Sequence, residues 1–67
     1  MALVIKLTAP SGEKYFGSRA DSEGLRYLVS QMGDAEIFSS REAADNAIFA
    51  LRQVRELRDY SCDIVEV

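Results

Sequence analysis

Among side chains able to do chemistry at neutral pH, this 67-residue chain holds eleven Asp and Glu carboxylates, eight Lys and Arg cations, one thiol at Cys62 and no histidine. Carboxylates can act as general acid and base, but only where a pocket drives two pKa values apart, and a chain this short encloses little volume for one. Histidine is the commonest general base near pH 7 and, with cysteine, the usual ligand of zinc and haem. No nucleophile motif, phosphate loop or metal-ligand spacing occurs. The expectation is therefore a protein that is not an enzyme and carries no cofactor or metal. Cys62 reads as a small buried hydrophobe rather than a reactive thiol, and Asp63 and Glu66 read as solvent-facing strand residues.

The groups that remain are binding groups. On a helical wheel Phe49 falls opposite the apolar stripe of its segment, among Asp45, Arg52, Gln53 and Glu56, so simple packing does not bury it. Aromatics ringed by polar groups are typical interface anchors, which makes Phe49, with Asp45, Arg52 and Glu56, the first candidate for contact with a protein partner. Tyr15 and Tyr27 are the second candidate. Each stands next to an apolar residue (Phe16, Leu28) that points to the other side of its strand, so one aromatic per strand is expected on a sheet face away from the helix. Such a face, with Lys6, Lys14 and Arg26 beside it, can stack unpaired bases. The glycine and aromatic signature of an RNA-recognition motif is absent, and the net charge of −3 opposes nucleic-acid binding. That charge is uneven: Lys6, Lys14, Arg19 and Arg26 against Glu13, Asp21 and Glu23 make residues 1–30 +1, leaving −4 for the rest.

The elements that position these groups are read from periodicity. Leu3, Ile5 and Leu7 alternate with Val4, Lys6 and Thr8, which predicts a strand. Ala9-Pro10-Ser11-Gly12 predicts a type I turn, and Lys14 to Ser18 a returning antiparallel strand. Arg19 to Gly33 is ambiguous. Arg26 to Val29 after Gly24 reads as a strand, while Leu25, Leu28, Val29 and Met32 also fit a helix capped by Asp21 or Ser22. Asp34 to Phe38 predicts a tight turn. Ser39-Ser40-Arg41-Glu42 fits a capping box with Ser39 as the cap. A helix from Ser40 to about Asp59 follows, packed through Ala44, Ala47, Ile48, Leu51 and Val54. Glu42 and Asp45 near its start and Arg52, Arg55 and Arg58 near its end complement the helix dipole, and Arg52 with Glu56 and Arg55 with Asp59 are spaced to pair at i,i+4. Cys62 to Val67, with β-branched Ile64, Val65 and Val67, predicts a closing strand.

The result is one small α+β domain over residues 1–67: an antiparallel sheet of three to four strands with one main helix on one face, in the order β-β-β-α-β. One helix cannot cover both faces of such a sheet. Val4, Tyr15 or Phe16, and Val65 or Val67 are thus expected to form an apolar patch that a second copy would cover as a homodimer, unless Arg19 to Gly33 folds over it. A single cysteine indicates a reducing compartment, and the opening apolar run is cut short by Lys6, so a cytoplasmic protein that does not enter a membrane is expected.

The run Ala35-Glu36-Ile37-Phe38-Ser39-Ser40-Arg41-Glu42-Ala43-Ala44, preceded by Tyr27-Leu28-Val29 and followed by Asp63-Ile64-Val65-Glu66-Val67, resembles short proteins encoded by phages and prophages. Some of these are anti-CRISPR inhibitors, acidic proteins that obstruct a bacterial nucleoprotein defence complex. The resemblance implies a small inhibitor of that kind, with no shared motif to assign residue roles. The alternatives are a single-stranded nucleic-acid binder using the aromatic sheet face, and a homodimeric structural subunit.

Overall fold

The computed structural model describes residues 2–18 and 28–67. In chain order they form β1 (Leu3–Thr8), β2 (Lys14–Gly17), β3 (Leu28–Val29), a 3-10 turn at Met32–Asp34, α1 (Arg41–Arg52), a second 3-10 turn at Arg55–Leu57, and β4 (Ser61–Glu66). The strands make one antiparallel sheet in the order β3-β2-β1-β4. The α+β class and the β-β-β-α-β order are those expected from the sequence.

β1 is central, with β2 on one side and β4 on the other, and its Leu3, Val4, Ile5 and Leu7 are buried. Leu3, Ile5 and Leu7 point to one side and join Phe38, Ala44, Ala47 and Leu51 in the core beneath α1. The three alanine and leucine positions recur at helical spacing, and the small side chains let the helix backbone lie close to the sheet. The register sets Ile64 opposite Ile5, and both Cys62 and Tyr15 opposite Leu7, so all three lie on the helix side. The hairpin between β1 and β2 is closed by Gly12 N donating to Ala9 O (2.8 Å) and Ala9 N donating to Glu13 O (2.8 Å). Gly12 has φ 96°, a conformation that side-chain-bearing residues rarely adopt.

Gly17 faces Leu51. A Cβ there would lie 3.6 Å from Leu51 Cδ1 and 3.8 Å from Ile5 Cβ, which is ordinary van der Waals contact. Glycine inside a strand also costs about 0.5–1 kcal/mol in chain entropy relative to alanine. Gly17→Ala is therefore expected to raise the melting temperature by several degrees; a lower melting temperature would mean that Leu51 cannot tolerate the added methyl.

Several expectations are corrected. Residues 35–38 are not a tight turn. Ala35 bridges Ser18, and Phe38 bridges Leu3 through Leu3 N donating to Phe38 O (3.0 Å) and Phe38 N donating to Leu3 O (2.7 Å). This segment thus continues the sheet past β2 and carries the Phe38 ring into the core. The helix cap is Ser40, not Ser39: its Oγ accepts from Ala43 N at 3.2 Å. Ser39 is consumed in the link from the Phe38 bridge, so Glu42 sits one position too early for the capping box and acts only as an anion in the first turn.

α1 stops at Arg52 instead of continuing to Asp59. Twelve helical residues span about 18 Å and six strand residues about 20 Å, so helix and sheet match in length. A helix reaching Asp59 would overhang. Instead Val54 is extended (φ −80°, ψ 120°), and the chain turns so that Leu57 and Tyr60 pack back against the core. Val54, expected inside, is left 39% exposed, and Arg52 and Glu56 no longer share a helix.

The sheet face away from α1 also differs from expectation. Val4, Phe16, Val29 and Val65 share it by register, whereas Tyr15 does not. Val4 is only 1% exposed, and Phe16, Val29 and Val65 are half-buried. The face is therefore covered at Val4, while Val67, at its end, is 51% exposed. Of the ambiguous stretch, Leu28–Val29 is strand and Met32–Asp34 a 3-10 turn, so the helical alternative does not hold there; residues 19–27, including Asp21, Ser22, Gly24, Arg26 and Tyr27, lie outside the described residues. No helix among the described residues is long and apolar enough to cross a membrane.

Candidate functional site

The outward face of α1 is fixed from the inside. Ala44, Ala47 and Leu51 are buried against β1, which turns the stripe Asp45, Phe49 and Arg52, at i, i+4 and i+7, away from the sheet. The Ser40 cap holds the first turn of α1, and Gln53 closes the last, its N–H bonding Ala50 O and Leu51 O. The Gln53 side chain also donates to Phe49 O at 3.4 Å. Phe49 is 69% exposed, the most exposed of the large apolar residues among those described. Asp45 and Arg52 flank it, both exposed and of opposite sign. Three of the four residues read from the wheel are thus brought together on a rigid element. Glu56 is not among them: it is exposed in the 3-10 turn Arg55–Leu57, beyond the break at Val54.

Tyr15 is placed elsewhere. It lies half-buried on the helix side of the sheet, with its ring centroid 6.2 Å from that of Tyr60 and the planes at 43°. This is a tilted aromatic pair. Its hydroxyl donates to the Glu13 carboxylate, and that hydrogen bond, with the Glu13 charge behind it, holds the phenol above its ordinary pKa. The neutral phenol is the favoured form, so the contact is complete below the ordinary tyrosine pKa and is lost as pH rises through the raised one. Tyr27, the other aromatic candidate, lies outside the described residues. Lys6 and Lys14 share the face of Phe16, with Lys6 opposite Asp63, so cations and a half-buried aromatic do meet there.

Among the exposed apolar residues, Ile37 (59%) and Met32 (42%) were not read from the sequence as surface candidates, and Val54 was expected in the core. Ile37 and Phe38 are adjacent, and only the pairing of Phe38 with Leu3 decides which of them points inward.

Cys62 is a free, half-buried thiol packed at the margin of the core. Burial pushes its pKa up; Arg52 opposes this and Asp63 adds to it. Alkylation at neutral pH is expected to be slower in the folded protein than in denatured chain, because the thiolate is the reacting form. Arg52→Ala is expected to slow it further by removing the one cation that favours the thiolate. A faster reaction in that variant, with the fold intact by circular dichroism, would contradict the placement. Among the described residues no group of three or more potential metal ligands comes together.

Comparison with known proteins finds no matching family, and neither a curated protein nor a solved structure matches the chain.

Proposed function

We propose that the chain is a non-enzymatic protein-binding module that docks through the outward face of α1, with Phe49 as the anchor. The observation that carries this reading is the 69% exposure of Phe49 on a helix whose opposite side is locked in the core. An aromatic ring held in place by a packed helix loses little conformational freedom on binding, which is what interface anchors require. Asp45 and Arg52 supply charges of both signs at its sides, suited to steering and orienting a partner rather than to bulk attraction. The complementary surface is an apolar pocket with a basic group on the Asp45 side and an acidic group on the Arg52 side.

The specific partner that the resemblance implies is a bacterial nucleoprotein defence complex, and the net charge of −3 suits a surface that normally receives nucleic acid. The test is an inhibition assay with such a complex alongside affinity capture from bacterial lysate, each with wild-type and Phe49→Ser protein. A captured protein or an inhibited nuclease that is lost with Phe49→Ser supports the reading. Capture or inhibition unchanged by that substitution would move the contact off α1.

A further inference from the structure

β4 ends the sheet on one side, six residues long and paired with β1 on its inner side. The direction of its backbone groups follows from one hydrogen bond. Val67 N donates to Ala2 O at 2.9 Å, so Ala2 and Val67 form a hydrogen-bonded pair. Antiparallel alternation then makes Val4 with Val65, Lys6 with Asp63, and Thr8 with Ser61 the pairs that exchange bonds. Leu3 agrees with this phase, since it exchanges both of its bonds with Phe38 on the other side of β1. The N–H and C=O groups of Cys62, Ile64 and Glu66 therefore point outward, and nothing among the described residues pairs with them.

Natural sheet edges are usually blunted by brevity, proline, lysine or a bulge. β3, at the opposite edge, spans two residues. β4 runs Ser-Cys-Asp-Ile-Val-Glu without proline, glycine or lysine, and its register with β1 is unbroken over all six residues.

We propose that the outer edge of β4 pairs with β4 of a second copy of this chain, antiparallel about a two-fold axis at Ile64, joining two four-stranded sheets into one. The three outward residues are symmetric about that axis. Ile64 meets Ile64 of the second copy and Cys62 meets Glu66, so every outward donor and acceptor of both strands is satisfied. Charge permits this register and disfavours the neighbouring one centred on Asp63. β4 carries Asp63 and Glu66 and no cation, and like charges placed directly opposite destabilise a strand pair. With the axis at Ile64, Asp63 faces Val65 and Glu66 faces Cys62. Glu66 of the second copy thus meets no carboxylate across the pair, twice by symmetry. Asp63 has Lys6 opposite it within its own copy. An axis at Asp63 would set two carboxylates directly opposite each other across the strand pair. The contact goes beyond the reading of α1 as a docking face and is independent of Phe49.

The test is light scattering over a rising concentration series, together with a cysteine cross-link. The wild-type mass is expected to climb toward twice the monomer value. Glu66→Cys, oxidised, is expected to give a covalent dimer with a disulfide between Cys62 and the introduced thiol at position 66. Within one chain those positions are four residues apart along a strand, about 13 Å, beyond disulfide reach, so the link reports the second copy. Glu66→Pro removes one outward N–H and no β1–β4 bond, and is expected to stay monomeric at every concentration with an unchanged circular dichroism spectrum. Phe49→Ser is expected to leave the doubling intact, which separates this contact from the α1 face. A wild-type mass fixed at the monomer value, a dimer that persists in Glu66→Pro, or oxidation that links only Cys62 to Cys62 would each overturn the proposal.

Discussion

Leu51→Asp is expected to abolish folding outright. Leu51 is 2% exposed and reaches from α1 to the backbone of β2 beside Ile5. No cation faces that position among the core residues, which are aliphatic, alanine or phenylalanine. Burying an unpaired carboxylate there costs several kcal/mol even after it takes up a proton. A single core in a chain of this length supplies only about 3–5 kcal/mol of net stability. The expected result is a disordered circular dichroism spectrum with no cooperative melt. Leu51→Ala, which removes packing without adding charge, should cost about 2–5 kcal/mol and lower the melting temperature steeply. Val54→Asp is the contrast. Because Val54 lies beyond the end of α1 and is partly exposed, that change should stay within about 0.5 kcal/mol. A cooperative melt of Leu51→Asp near the wild-type temperature would refute the packing of α1.

Phe49→Ala is expected to behave in the opposite way, with a large loss of partner affinity and almost none of stability. Anchor aromatics commonly cost 2 kcal/mol or more when truncated, which is roughly a 30-fold weaker dissociation constant. The ring makes no contribution to the core, and alanine is the better helix former, so the melting temperature should hold or rise slightly. Titration calorimetry with the captured partner and a thermal melt of the same sample measure both. Asp45→Lys and Arg52→Glu should act mainly on the association rate and its salt dependence. If Phe49→Ala lowered the melting temperature as Leu51→Ala does, the ring would belong to the fold and the docking face would lie elsewhere.

The parts of this structure that sequence reasoning reached are those fixed by local pattern. The alternation of Leu3, Ile5 and Leu7, the Pro-Ser-Gly turn, the wheel phase that buries Ala44, Ala47 and Leu51 and exposes Phe49, and the β-branched closing strand all follow from short-range periodicity. What was not legible is fixed by contacts distant in sequence. Val54 and Leu57 continue the helical stripe at three-residue steps, and no glycine or proline marks a stop. The helix ends where the sheet beneath it ends, which no local window contains. Ser39 and Ser40 are equally good caps until Phe38 is tied to Leu3. Tyr15 and Phe16 alternate as expected, but which of them shares the helix side depends on the hairpin register that sets Tyr15 beside Leu7. For the same reason Ile37 and Phe38 could not be told apart.

The adjacency of β1 and β4 also governs the order of events in folding. Leu3 lies opposite Glu66, so the central strand gains one of its two neighbours only when the last strand of the unit has been made. Until then β1 has β2 on one side and an open ladder on the other, with Leu3, Val4, Ile5 and Leu7 beside it. Closing so long a loop is slow compared with forming α1 or the first hairpin. The chain therefore spends its unfolded lifetime with its most apolar strand half-paired, the state in which strand-rich proteins aggregate or need a chaperone. Expression yield should respond more to how fast β4 is delivered to β1 than to the stability of the finished sheet.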